Sequence, residues 1–464
     1  MKKRRYVVMG AGEVGLHLAT TLSLAGHDVV VIEVDAERRA RIEEDLDVAV
    51  VAGNGAHVPV LESARVEDCD LFLAVSSSDE ANLAASVLAR RLGARRIAVR
   101  VGVAEDITTH RQLYEDVFAA DLLLSTQLLA TTEILNHILG HTTVAVEYLA
   151  QGRVQLRKIH LEADSPLTEQ PLHAVQLPAG CLVVAYFRGD ELIIPSGDDR
   201  ALAGDDALIL GSSEVIGSVE RLVSSRPLDR KTVVIAGGGT TGMTVAESLA
   251  VHGDHGRVER IKLIERERWR AREVAAALPS VEVLHGDATD IALLRAESVG
   301  EAQAFVALTG QDERNLMASL LAQELGVPQV VALVQRGETS VLWRKLGLMQ
   351  VVSPRAIAYR RIQDYIENDY SANIVSLRQG KAQVLERVLA AESPAAGVTL
   401  AEFNPPRGVI IGAVARGDRV FVPRGKDRLA AGDTVVLFVK QDEMPTVNLL
   451  FPGRATSGHP SGLS

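Results

Sequence analysis

The chain has 464 residues, 47% of them hydrophobic, and a formal net charge of −11. That length holds about three or four domains, and the acidic balance excludes a general nucleic-acid surface or a polybasic membrane patch. The two cysteines, Cys69 and Cys181, exclude a disulfide framework and suit a reducing cytosol, and no apolar run reaches the ~18 residues of a spanning helix.

The basic start, Met1 to Arg5, is followed only by Tyr6-Val7-Val8-Met9, too short for a signal-peptide core, and reads as a solvated lead-in. Residues 6–9 predict a strand. Gly10-Ala11-Gly12-Glu13-Val14-Gly15 then opens a segment of helical periodicity. In such a loop the first glycine allows a tight turn, the second lets the backbone approach a pyrophosphate, and the third lets the helix pack close to the strand. The helix N-terminus presents free N–H groups and a positive dipole end to phosphates. The next predicted strand, 28–32, runs into Glu33, which lies 33 − 15 = 18 residues past the last glycine. An acid near that distance accepts hydrogen bonds from the adenosine ribose hydroxyls and repels a 2′-phosphate, which favours NAD or ATP over NADP.

Further strands are predicted at 48–51, 71–75 and 97–101, with a sixth near 117–124. Leu122 to Leu139 is apolar at helical spacing without a clean polar face. It reads as a core helix or as a packing helix between domains or subunits, and its encircling apolar residues make it the expected oligomer surface. Residues 144–224 change character. They hold short β-rich runs such as Leu182 to Tyr186, an Arg188-Gly189-Asp190 turn, a strand into Pro195 and an Ala203-Gly204-Asp205 turn. Arg-Gly-Asp is turn chemistry here, with glycine at positive φ. These modules contain no nucleophile–base grouping and no Cys/His metal spacing, and read as small binding or dimerisation modules.

From residue 232 the chain repeats itself. A second loop, Gly237-Gly238-Gly239-Thr240-Thr241-Gly242, follows a strand, and Glu265 ends the next strand 265 − 242 = 23 residues later. Strands are predicted at 232–236, 260–264, 281–284, 304–308, 330–334 and 350–353. Gly53-Asn54-Gly55-Ala56 matches Gly286-Asp287-Ala288-Thr289 at an offset of 286 − 53 = 233. Ser76 to Leu83 matches Thr309 to Leu316 at the same offset, whereas Ala203-Gly204-Asp205 matches Ala431-Gly432-Asp433 at 431 − 203 = 228. A period this long is a tandem duplication, not a solenoid. The change of offset predicts a linker of variable length between the two modules of each half. The fold class is α/β: two Rossmann-like, doubly wound parallel-sheet domains at 1–124 and 230–355, each followed by a small α+β domain at 141–225 and 372–453. A Gly/Ser/Pro-rich tail at 454–464 reads as disordered.

The order of glycine loop, acid, Gly-Asp-Ala-Thr, Asp-Glu-x-Asn and β-rich module, all repeated once, resembles the TrkA family over residues 5 to 452. These are cytosolic regulatory subunits of Trk potassium-uptake systems, with tandem KTN (RCK) and RCK-C domains. The resemblance implies a non-enzymatic sensor of NAD/NADH, and of ATP/ADP, that gates a membrane potassium channel of the TrkH type. It implies a homo-oligomeric ring, plausibly of four chains, held at the inner face of the plasma membrane by its channel partner and binding no nucleic acid. Carried over by motif, the first site uses Gly10, Ala11, Gly12, Glu13, Val14 and Gly15 around the pyrophosphate and Glu33 on the ribose. Asn54 lies near the adenine, Ser76 and Ser77 follow strand four, and Arg100 reaches a phosphate. The second site uses Gly237, Gly238, Gly239, Thr240, Thr241, Gly242, Glu265, Asp287 and Thr309. Asn54 stands where the second half has Asp287, which predicts a different ligand preference in each half. The competing reading is a dehydrogenase with duplicated Rossmann domains. It needs an acid or base beside a nicotinamide, and histidines such as His17, His57, His141 and His285 are scattered without repetition.

Overall fold

The structure is a computed structural model that describes residues 3–102, 113–139, 154–189, 191–212, 215–223, 231–253, 258–348, 350–367, 374–377, 382–417 and 419–451. The expected disordered tail, 454–464, lies outside the described residues. Valine- and isoleucine-rich runs buried on both faces make parallel strands. In the first half these are β1 (Arg5–Met9), β2 (Asp28–Glu33), β3 (Ala49–Ala52), β4 (Leu71–Ala74), β5 (Ile97–Val101) and β6 (Leu122–Ser125). They form one parallel sheet in the order β3-β2-β1-β4-β5-β6. The helices between them are α1 (Glu13–Leu24), α2 (Ala36–Asp45), α3 (Val58–Ser63) and α4 (Asp79–Leu92). The order reverses between β1 and β4, so the crevice at the carboxyl ends of the strands opens beside the first glycine loop.

The 122–139 stretch is not one helix. Residues 122–125 are the edge strand β6, and α5 (Thr126–Leu139) begins only after it. Nor is its apolar surface left for another subunit. Ala130, Ile134, Leu135 and Ile138 are buried in the core beneath the sheet of the second half, while Leu129 joins the core of the first.

The first small module holds β7 (Val154–His160), α6 (Pro166–Glu169), β8 (Cys181–Arg188), β9 (Glu191–Ile193), β10 (Asp206–Ser212) and α7 (Ile216–Val223). Its sheet runs β7-β10-β8-β9, all antiparallel. The second parallel sheet holds β11 (Lys231–Ala236), β12 (Val258–Glu265), β13 (Glu282–His285), β14 (Ala304–Ala307), β15 (Gln329–Leu333) and β16 (Gln350–Val352). Its order, β13-β12-β11-β14-β15-β16, copies the first. Its helices are α8 (Thr240–Gly253), α9 (Arg268–Ala277), α10 (Ile291–Ala296), α11 (Asp312–Glu324), α12 (Ser340–Lys345) and α13 (Pro354–Glu367). The second small module holds β17 (Ile374–Leu377), β18 (Ala382–Val388), α14 (Leu400–Phe403), β19 (Val409–Arg416), β20 (Arg419–Phe421), β21 (Thr434–Lys440) and α15 (Met444–Leu450).

The last helix of each Rossmann unit crosses to the other unit. As α5 packs under the second sheet, so Ala358, Ile362, Tyr365 and Ile366 of α13 complete the core of the first. Fully burying one aliphatic or aromatic side chain contributes about 1.5–3 kcal/mol, so this exchange ties the halves together. The small modules also pair. Leu156, Val184, Phe187 and Leu210 share one core with Val384, Ala413, Val436 and Phe438.

The change of offset has a different origin from the one expected. β5 and β15 are separated by 329 − 97 = 232 residues, β6 and β16 by 350 − 122 = 228, and β7 and β18 by 382 − 154 = 228. The linkers between modules are therefore equal in length, and the residues gained or lost fall inside the Rossmann unit, between β5 and β6.

Candidate functional site

Both glycine loops are built alike. Gly10 and Gly237 have φ of +96° and +110°, and a side chain at either would approach backbone within about 2.5 Å, at Ser76 Cα and Leu308 O respectively. Gly15 and Gly242 lie against the carbonyls of Gly10 and Gly237, where an added Cβ would come within 1.8 and 1.9 Å. The middle glycines differ from these four. A Cβ on Gly12 or Gly239 would meet nothing within 4 Å. The space above each is open at the place where α1 or α8 begins, and the first turn of a helix leaves its N–H groups without intrahelical partners. The backbone N–H groups of residues 12–14 and 239–241 lie at these two helix starts, the kind of place that suits an anion. Val14 is buried, Thr240 is exposed and Thr241 half-buried.

Each acid at the end of the second strand is tied to its loop. Glu33 is buried; its Oε2 accepts from the Ala11 N–H at 2.6 Å, and its Oε1 accepts from Val34 and Asp35 N–H at 2.8 and 2.9 Å. Glu265 accepts from Gly238 N–H and Glu267 N–H, both at 2.7 Å. A carboxylate has about four lone-pair sites, so both retain capacity for a ribose hydroxyl while holding the loop in shape. On the opposite side of each loop, Ser76 and Thr309 donate N–H and Oγ to the buried Asn82 and Asn315, with Oγ to Oδ1 distances of 2.7 Å in both halves. Asn82 and Asn315 donate in turn to the carbonyls of Arg100 and Leu333. Asp79 accepts from Gly102 N–H at 2.7 Å, and Asp312 from Gln335 N–H at 2.8 Å. These four residues belong to the repeated Asp-Glu-x-Asn motif, and their task of fastening α4 and α11 to the next strand was the part that sequence reading left unassigned. Ser77 is exposed.

The halves part company at three places. Asn54 Oδ1 accepts from the Ala56 N–H at 2.9 Å, its one hydrogen bond among the described residues. Asp287 accepts from Thr289 N–H and Oγ1 and pairs with Arg314 at 3.0 Å. Partial burial pushes the Asp287 carboxyl up, but the Thr289 hydrogen bonds and the Arg314 charge outweigh it and hold the group below the usual carboxylate range. At the 233-residue offset the counterpart of Arg314 is Ala81, so the first half lacks both members of the ion pair. Second, Arg100 donates from Nη1 to the Ser76 carbonyl oxygen at 2.8 Å, and its counterpart is the apolar Leu333. Burial lowers the Arg100 pKa, and its Nε is buried with no partner among the described residues. Third, Glu13 reaches into the other half. It accepts from Gly337 N–H at 2.9 Å and from Arg355 at 3.0 Å. The second loop has Thr240 at the place of Glu13, and Gln127, the counterpart of Arg355, donates to Thr244 Oγ1 at 2.8 Å.

The expected turns of the small modules carry a paired side chain as well. Gly189 and Gly417 have φ of +55° and +56°, while Asp190 and Asp418 lie outside the described residues. The arginine of each turn forks onto the aspartate of the later Ala-Gly-Asp turn: Arg188 onto Asp205 at 3.0 and 2.9 Å, Arg416 onto Asp433 at 2.7 Å twice. Among the described residues no three His, Cys, Asp or Glu side chains gather to hold a metal ion. No described helix is long and apolar enough to cross a membrane.

Residues 6–120 and 233–354 match the family model described as the TrkA-N domain, and 156–224 and 384–451 match the TrkA-C domain. The Trk system potassium uptake protein TrkA homolog 2 of Methanosarcina mazei is 30% identical over 455 residues, covering 96% of this chain and 99% of that protein. The TrkA homolog of Archaeoglobus fulgidus is 31% identical over 447 residues, covering 96% and 100%. Among solved structures, the GsuK channel bound to NAD superposes with a TM-score of 0.58 at 20% identity, over 98% of this chain and 80% of that one. The GsuK RCK domain gives 0.56 at 20% identity, over 98% and 96%.

Proposed function

The chain belongs to the TrkA family, and from that membership we propose that it is the nucleotide-sensing regulatory subunit of a Trk-type potassium uptake system. The observation that carries this reading is the doubled cradle: two glycine loops, each open above its middle glycine and each closed on one side by an acid at the end of the second strand. NAD and NADH are the ligands assigned to it, with ATP and ADP as competitors that share the adenosine end. At the first site Gly10 to Gly15 take the diphosphate, Glu33 the ribose and Asn54 the adenine edge. Ser76, Ser77 and Arg100 face the far end of the phosphate chain. Gly237 to Gly242, Glu265, Asp287 and Thr309 have the same roles at the second.

The ligands are sensed and not consumed. A ligand shifts an equilibrium between two arrangements only by its difference in affinity for them. The two halves of this chain are joined through α5 and α13, so a nucleotide that changes how either loop sits against its neighbour changes the angle between halves. A homo-oligomeric ring of four chains, with eight Rossmann units, passes that change to a TrkH-like channel at the inner face of the plasma membrane. The family relatives named as uptake proteins favour this over a hydride-transfer enzyme. Calorimetric titration of the purified chain with NAD, NADH, ATP and ADP is the test. Two binding events per chain with no turnover are expected. Steady reduction of NAD with a small substrate would reverse the assignment.

A further inference from the structure

Glu13 is an acid at the start of a helix whose N-terminus is assigned to phosphate. A negative side chain suits a helix N-terminus when nothing is bound, but it competes with an anionic ligand. Its direction decides which part of the ligand it meets. The sheet order β3-β2-β1-β4-β5 places Glu33 and Asn54 on one side of the loop and Ser76 and Arg100 on the other. Adenosine lies on the Glu33 side, so the phosphate chain leads towards β4 and β5. On that side burial, and to a lesser degree the charge of nearby Arg355, lowers the Arg100 pKa, and Arg355 is held by Glu13 at 3.0 Å. The clasp is tight: a Cβ at Gly337 would stand 2.5 Å from Glu13 Oε1.

Resting on the nucleotide reading above, we infer that Glu13 is a specificity-determining residue that limits the first site to ligands with two phosphates, by occupying Arg355 of the second half where a third phosphate would go. A dinucleotide leaves the clasp intact. A nucleoside triphosphate must displace the carboxylate from Arg355 and Gly337 before its terminal phosphate can reach Arg355 and Arg100. Because the clasp joins the two halves, triphosphate binding at this site and its opening are one event. The second site carries Thr240 and Gln127 at the equivalent positions and has no such barrier.

The test is calorimetry with NAD and with ATP on the full chain, with the second loop blocked by Gly239→Asp, which introduces a charge where a Cβ meets no atom. Glu13→Gln keeps the shape and the acceptor for Gly337 but frees Arg355; ATP affinity is expected to rise about tenfold, the scale of a charge-assisted hydrogen bond. Arg355→Gln removes the cation and is expected to lower ATP affinity by about the same factor, with NAD within about twofold in both. A pair that merely holds the halves together would move ATP binding in the same direction in both variants, and that result overturns the inference. So does unchanged ATP binding in a protein that still binds NAD. If either variant fails to fold, Gly337→Ala displaces the carboxylate without altering charge and must also raise ATP affinity. Loss of both ligands from the chain with both loops unmodified would refute the nucleotide reading itself.

Discussion

The first and second Rossmann units share a sheet order, a glycine loop with matching contacts to within a few tenths of an ångström, and an acid tied to that loop. They differ in what surrounds this frame. The first unit has a neutral Asn54, an alanine, Ala81, at the position of Arg314, a half-buried Arg100, and an acid clasped by the other half. The second has the Asp287–Arg314 pair and a threonine loop. The first and last glycines of the loop and the acid beside it are the same in both, and the charged residues set around them are not. The duplication has kept a loop and its acid and changed the side chains around them.

The largest expected effect tests the shared frame. Gly10→Ala forces a positive φ and a 2.5 Å approach to Ser76, and should cost on the order of 3 kcal/mol of stability. Gly12→Ala, two residues away, should change stability by less than about 0.5 kcal/mol. Denaturant unfolding of the two variants measures this, and equal losses would show that the loop relaxes around either. Next come the acids. Glu33→Ala and Glu265→Ala should each weaken NAD binding at their own site by roughly 1.5–3 kcal/mol. Glu33→Ala should also destabilise the apoprotein more, since three N–H groups lose their acceptor instead of two. NADP binding as tightly as NAD would contradict the ribose role.

A smaller effect sharpens the difference between halves. Asn54→Asp alone adds a carboxylate without its arginine and should not convert the first site. Asn54→Asp with Ala81→Arg restores the pair, with a coupling of about 0.5 kcal/mol in a double-mutant cycle for groups this exposed. Ligand rankings that match the second site after the single change would break the argument. The smallest effect concerns the small modules. Burial pushes the Asp205 carboxyl up, but its hydrogen bonds with Arg188 and Leu202 N–H prevail and hold it below its ordinary value of 3.8. A depressed folded value means stabilisation that is complete above the unfolded pKa and lost as pH falls through the folded one. Arg188→Gln should therefore move acid unfolding of this module to higher pH, as followed by circular dichroism; an unchanged midpoint would mean that Leu202 N–H alone fixes the carboxylate.

The strands were legible because each is a short, continuous apolar run. Predicted and observed limits of β2 and β12 differ by no more than a residue or two, at 28–32 against Asp28–Glu33 and 260–264 against Val258–Glu265. The glycine loops and their acids were legible because their geometry is local and repeated. Leu122 to Leu139 was legible as an apolar packing segment, but neither as a strand followed by a helix nor as a contact within this chain, since periodicity reports burial and not what does the burying. Its partner is a sheet whose first strand starts at Lys231, 93 residues past Ile138. Glu13 shows the same limit more sharply: its two partners lie 324 and 342 residues away. No spacing rule could find them. Asp287 was visible, but its arginine was hidden in the variable position of the Asp-Glu-x-Asn motif, where the first half has alanine.

The crossing of α5 and α13 has a consequence for how such a chain can change over time. Were each unit a separate polypeptide, every complex would draw its two crossing helices from one pool of identical copies, and a substitution in one would appear in both. Fusion ends that symmetry. Each unit now receives its closing helix from one partner that is always the same, encoded a fixed distance away. Glu13 can therefore be matched to Arg355 while Thr244 is matched to Gln127, and neither match constrains the other. Two units whose surrounding residues differ can be inherited as a single gene product, always in a one-to-one ratio and always in contact.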